Sequence, residues 1–200
     1  MEDSLSLAYR LGILLLTLLG WLCIYFFVNR RSVEDQRRLN LSTTFDKNLP
    51  FIPQFAIIYF STYLFVIQPF FILSDAKLFY WMVACFVSIS IGASLIHALL
   101  PSKIERVEHI STNRVYGKLL NRFQQTCKPY GNFPSMHVGL SVPVVIANYM
   151  VSNTAAGGVM LVWGVSIALS TMFTKQHYLW DVLAGLFVGI AVSYLYLGMM

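Results

Sequence analysis

His177 and Asp181 stand four residues apart near the end of the chain. On a helix that spacing puts both on one face. A carboxylate so placed accepts one ring N–H, frees the other nitrogen as a nucleophile, and stabilises the imidazolium character that develops on attack. Lys175, two residues before His177, offers an ammonium for phosphate oxygens. A second segment, Asn132 to His137, contains Pro134, Ser135 and His137. Proline suits a helix start and serine is a preferred cap. The backbone N–H groups freed at such a start bind anions. Ser135 adds a hydroxyl donor, and His137, one turn further, is placed to protonate a leaving alkoxide. The chemistry expected of this set is cleavage or transfer of a phosphate-bearing group through a histidine nucleophile. Each residue alone has an ordinary reading at a membrane interface. It is their gathering on one side of a bilayer, where ionisable groups are expensive, that points to function.

The elements that must position them are membrane helices. Hydrophobic residues make up 57% of the 200 and charged residues only 12%, about half the charged share of a soluble domain. A bilayer core takes roughly 20 apolar residues per helix. The uncharged runs predict six spans, near 10–29, 51–73, 78–100, 135–152, 156–174 and 179–198, with Ser152-Asn153-Thr154 as the break between the fourth and fifth. The expected fold is therefore an all-α, six-transmembrane-helix bundle forming one integral membrane domain. The first span reads as a retained helix, because the segment before it carries two acids and one arginine rather than a basic stretch. Cys23, Cys85 and Cys127 form no framework and are expected as free thiols.

Six spans place the segments 29–49, 101–135 and 174–178 on one side, with 12 of the 14 basic residues. Two causes produce such a bias: retention of basic loops in the cytosol, or the binding of an anionic substrate. Residues 29–40 read as an interfacial segment near anionic head groups. No glycine-rich nucleotide loop or zinc-spaced Cys/His cluster is present, and the acids on the basic face do not gather as magnesium ligands do. No metal, cofactor or nucleic-acid partner is expected. The aromatic residues Phe51, Tyr59, Tyr63, Phe70 and Phe71 either line an access groove for lipid or simply pack. His97 either reaches the site or lies at the interface.

Pro134-Ser135-Met136-His137 followed by Ser170-Thr171 and then by His177 and Asp181 resembles the motif pair of the type-2 phosphatidic acid phosphatase superfamily. Methionine replaces a glycine in the first motif and threonine an arginine in the second. His177-Tyr178, Asp181-Val182, Leu49 to Pro53, and Pro101 with Arg106 are similar to the branch containing inositol phosphorylceramide synthases, and the His-Tyr segment also to sphingomyelin synthases. The resemblance implies a six-helix fold and a metal-independent reaction through a phosphohistidine on His177. Asp181 would orient His177, and His137 would act as the acid that later activates the acceptor. Ser135, Lys175, Ser170 and Arg106 would hold the phosphate, with Lys175 supplying the charge that Thr171 lacks. The family's first basic motif is not cleanly present. Lys103 with Arg106 is the preferred substitute and Lys128 the alternative. The substrate implied is a membrane lipid phosphate, and the acceptor is water in a phosphatase or an alcohol in a phosphotransferase. A non-catalytic lipid-binding protein is the third possibility. The resemblance puts the site on the lumenal or periplasmic side, and a phosphate site by itself explains about half of the basic bias.

Overall fold

A computed structural model describes residues 4–30, 38–152 and 154–200. Most of the interfacial segment expected at 29–40, and Asn153 of the expected break, lie outside the described residues. The uncharged runs form helices because a backbone in hydrocarbon must satisfy its own N–H and C=O groups. The first run is α1 (Leu7–Arg30). After it come β1 (Leu39–Asn40), α2 (Thr44–Asn48), and a 3-10 turn at Pro53–Phe55 that leads into α3 (Ala56–Ile67) and α4 (Pro69–Ile72). Then follow α5 (Ala76–Leu99), β2 (Ser102–Lys103), α6 (Val115–Thr126), α7 (Met136–Val151), α8 (Thr154–Phe173) and α9 (Leu179–Leu197). Among the described residues five helical segments are long and apolar enough to cross a bilayer, and Met136–Val151 is a shorter apolar helix. At 16 residues, α7 is about 24 Å long, less than the roughly 30 Å of a bilayer core.

Two elements depart from the expected pattern. The span expected at 51–73 is realised in pieces, because Pro69 lacks an N–H and its ring clashes with the preceding turn. The Gln68 side chain at the break exchanges amide hydrogen bonds with Asn148 of α7, at 3.1 and 3.3 Å. The connection 101–135 was expected as a loop but contains α6. Its buried face holds Gly117 and Leu120, while Phe123 packs edge-on against Tyr59 and Phe60.

The short apolar helix α7 is the central one. α7 packs against α3, α5, α8 and α9. It approaches α9 closely through glycines: a Cβ at Gly189 would lie 2.6 Å from the Gly139 carbonyl oxygen, and one at Gly185 would collide with the Ser135 carbonyl. Small residues of this kind let membrane helices touch backbone to backbone. Fully buried Phe65, Phe70, Phe79, Met82, Val144 and Ile167 fill the interior, whereas Leu16, Leu64, Leu95, Val162 and Phe187 face outward. An apolar outside of this sort suits hydrocarbon rather than water. α1 is peripheral and touches α4 and α5. It is pinned at its start by Arg10, whose guanidinium donates to the carbonyls of Phe70 (3.4 Å) and Phe71 (2.8 Å).

Successive crossings bring α2, the connection from α5 to α7, and the turn from α8 to α9 to one end of the bundle. There β1 pairs in parallel with β2, Leu39 opposite Ser102. This joins the stretch after α1 to the stretch after α5.

Candidate active site

Two short segments at that end carry the chemistry. After Phe173 the chain leaves α8 through a tight turn. The N–H groups of Gln176 and His177 both donate to the Thr171 carbonyl, at 2.9 and 3.1 Å, and Lys175 takes a left-handed φ of 55°. Thr171 stands where the resemblance has arginine, and its carbonyl shapes the turn that presents His177. Tyr178 caps α9 and Asp181 lies in its first turn. His177 therefore precedes the helix instead of sharing a helical face with Asp181. Its Nδ1 is 3.5 Å from Asp181 Oδ2, while the same oxygen accepts the Tyr178 N–H at 2.8 Å. The carboxylate backs the imidazole and also caps the helix.

The second segment ends in Ser135, the cap residue of α7. The Ser135 N–H donates to the Asp181 carbonyl at 2.9 Å, which ties the two segments together. His137 follows in the first turn of α7. Its Nδ1 lies 3.3 Å from His177 Nε2, with the rings 5.4 Å apart and near perpendicular. The Tyr59 ring rests on His137 at 4.8 Å. With the proton of His177 on Nδ1, facing Asp181, its Nε2 accepts a hydrogen bond from His137 Nδ1–H. The single Nε2 lone pair of His177 is then engaged by His137 and becomes free to attack only when the two rings part. The Ser135 hydroxyl is buried and has no hydrogen-bond partner in the structure.

Both imidazoles line a cavity of about 320 Å³. Its lining includes the polar side chains of His97, Arg106, Lys128 and Tyr130, and the apolar side chains of Leu18 of α1, Val66 of α3, Phe70 of α4 and Phe86 of α5. Arg106 is held by carbonyls of the loop after α6, Nη1 to Cys127 at 2.6 Å and Nη2 to Lys128 at 3.3 Å.

The remaining expected phosphate ligands lie elsewhere. Lys175 is not on this wall. Its Nζ donates to the carbonyls of Asp46 and Leu49, both at 2.6 Å, and it lines a smaller neighbouring pocket with Ser42, Glu105 and Tyr178. Burial lowers the pKa of this ammonium, partly opposed by the Asp46 charge. The sequence reading had Lys175 supply the charge of the missing arginine; in the structure α2, a short helix that carries no marked apolar period, takes up its donors. Ser170 is fully buried and donates to the Ile167 carbonyl at 2.7 Å, so its hydroxyl serves α8. Lys103 lies in β2, bridged to Tyr130, and is not among the residues that line the cavity. Tyr59, Asn132 and Gln176 do line it. In the sequence their only signal was proximity to the two histidines or a place among apolar neighbours. Among the described residues no group of three or more His, Cys, Asp or Glu is arranged to hold a metal ion.

The family model of the PAP2 superfamily matches residues 99–200. The chain belongs to that superfamily. The match begins at the end of α5 and contains both histidine segments and the whole of α7, α8 and α9. No curated protein and no solved structure matches the chain.

Proposed function

We propose that this protein is a lipid phosphate phosphatase that works through a phosphohistidine on His177. Superfamily membership supports phosphatase or phosphotransferase chemistry, and the outward apolar helices support a substrate within the bilayer. The observation that carries the finer reading is the 3.3 Å contact between His177 and His137. The two come from separate helix ends and meet in a cavity lined by both basic and apolar side chains.

His177 Nε2 attacks phosphorus, and the bond from phosphorus to the lipid oxygen breaks. His137 donates its proton to the leaving alkoxide. In the second half, water attacks the phosphohistidine, His137 takes the proton, and the P–N bond breaks to release phosphate and free His177. Arg106 and Lys128 line the same cavity as the pair and would hold the equatorial oxygens, with the Ser135 hydroxyl two residues before His137 as a further donor, and Asp181 stabilises the cationic ring. A reacting nitrogen and phosphorus sit about 3–3.5 Å apart before attack. At their present separation the two nitrogens leave no room for a phosphorus atom between them, so the rings part when substrate binds.

A second reading keeps the first half-reaction and replaces water by a lipid or polyol alcohol. The run from His177 to Val182 favours it, through its likeness to the inositol phosphorylceramide synthase branch. Purified protein given lipid carrying labelled phosphate separates the two. Free orthophosphate alone supports hydrolysis, and a labelled new lipid with added inositol or ceramide supports transfer. In either case His177→Ala lowers turnover on the order of 10³-fold or more, as loss of a nucleophile does. Full turnover by a folded His177→Ala protein refutes the mechanism.

A further inference from the structure

We propose that His97 is a third histidine of the site: a positioning residue that sets the start of α7 by donating its Nε2–H to the Pro134 carbonyl. The inference rests on the reading of His177 and His137 given above. His97 lies in the last turn of α5, is buried, and lines the same cavity as the other two imidazoles. Its Nε2 is 3.1 Å from the Pro134 oxygen. A carbonyl only accepts, so this nitrogen carries the proton whether the ring is neutral or charged. Gly131, at a φ of +68°, lays its backbone against the ring; a Cβ there would meet the Cβ and Cγ of His97 at 3.5 Å.

From Gly131 to Ser135 the loop that ends in the site is otherwise fastened to the rest of the bundle through its N–H groups. Gly131 N–H donates to the Ser102 carbonyl and Ser135 N–H to the Asp181 carbonyl. The N–H groups of Asn132 and Phe133 donate to Ser102 Oγ at 3.0 and 3.1 Å. Pro134 has no N–H, so its carbonyl is the remaining handle before Ser135. Burying a polar ring at this depth costs free energy unless it is hydrogen-bonded, and an apolar side chain would fill the space without that cost. The bond to Pro134 accounts for a histidine here. It orients Ser135, whose hydroxyl is unpartnered, and His137 two positions beyond.

His97→Ala is expected to lower kcat about 100-fold, the scale of a 1 Å misplacement of catalytic groups, with KM little changed. His97→Gln, whose amide can present an N–H near the Nε2 position, restores kcat to within several-fold of the native enzyme. A His97→Ala protein with native kcat, or one that loses only KM, overturns the proposal. So do Ala and Gln variants that fold alike and are equally slow. Should the Ala variant not fold, 15N spectra of the native protein decide. The histidine signal missing in His97→Gln must report an Nε2–H ring, and a bare Nε2 contradicts the inference. An active native enzyme that His177→Ala silences, paired with a fully active His97→Ala, sinks this inference alone. A native protein that neither releases phosphate from any lipid nor transfers it to an alcohol sinks the functional reading and this inference with it.

Discussion

Ser135 and Lys175 show how unevenly the polar side chains of this site are engaged. Among the described residues the Ser135 hydroxyl is buried without a partner, a state that costs free energy and that a bound phosphate, as proposed above, would relieve. Ser135→Ala should therefore leave thermal stability unchanged or raised. It should lower kcat/KM about 10- to 100-fold, as expected for a hydrogen bond to a charged group worth 1.5–3 kcal/mol. Steady-state kinetics alongside a melting curve check both, and full activity would place the phosphate away from this hydroxyl. The residues proposed to bear the chemistry were legible in the sequence because His177, Asp181, His137 and Ser135 are rare types in an apolar chain. The role of Lys175 was not. A lysine two positions from a histidine carries no mark of where its long stem points, and the carbonyls of Asp46 and Leu49 are more than 120 residues away in sequence.

At the scale of elements, α2 acts as a clamp on the turn between α8 and α9. Asp46 Oδ1 accepts the Leu179 N–H at 2.8 Å, and its Oδ2 holds the Thr43 N–H and hydroxyl at 2.8 and 2.6 Å. Lys175 bonds the last turn of the same helix. Lys175→Met should thus lower the melting temperature by several degrees while KM stays within about twofold, because a charged hydrogen bond to backbone is lost rather than a phosphate contact. A raised KM with unchanged melting would restore Lys175 to the phosphate site. Four of the crossing helices, α1, α5, α8 and α9, lie within a few residues of the uncharged runs, since charge placement alone delimits a span in hydrocarbon. The break at Gln68-Pro69 was visible as a proline but reads as a kink or an end only once Asn148 is seen opposite. α6 escaped notice because its apolar stripe, Leu120 and Phe123 among Lys118 and Arg122, is shorter than the charged connection around it.

For the whole molecule, the open question of side follows from where the basic residues point. Arg106 is bonded to the carbonyls of the site loop, and the Arg38 guanidinium lies 3.3 Å over the Tyr130 ring. These cations are tied to the cavity wall, so they count less as free retention signals in a cytosolic loop. The lumenal or periplasmic side that the resemblance implies is therefore the orientation to test. Cys127 offers a built-in reporter: it lies in the loop after α6, while Cys23 is on α1 and Cys85 is buried in α5. In sealed vesicles of known orientation, a membrane-impermeant maleimide should label the protein only from the lumenal or periplasmic face, and Cys127→Ser should abolish the label. Labelling confined to the cytosolic face would reverse the topology. The most direct test of the central claim is the covalent intermediate itself. Native enzyme mixed with lipid bearing labelled phosphate, quenched in alkali within one turnover and mapped by mass spectrometry, should carry an acid-labile phosphate on His177. Continued turnover with the label on another residue, or with none on His177, would contradict the account.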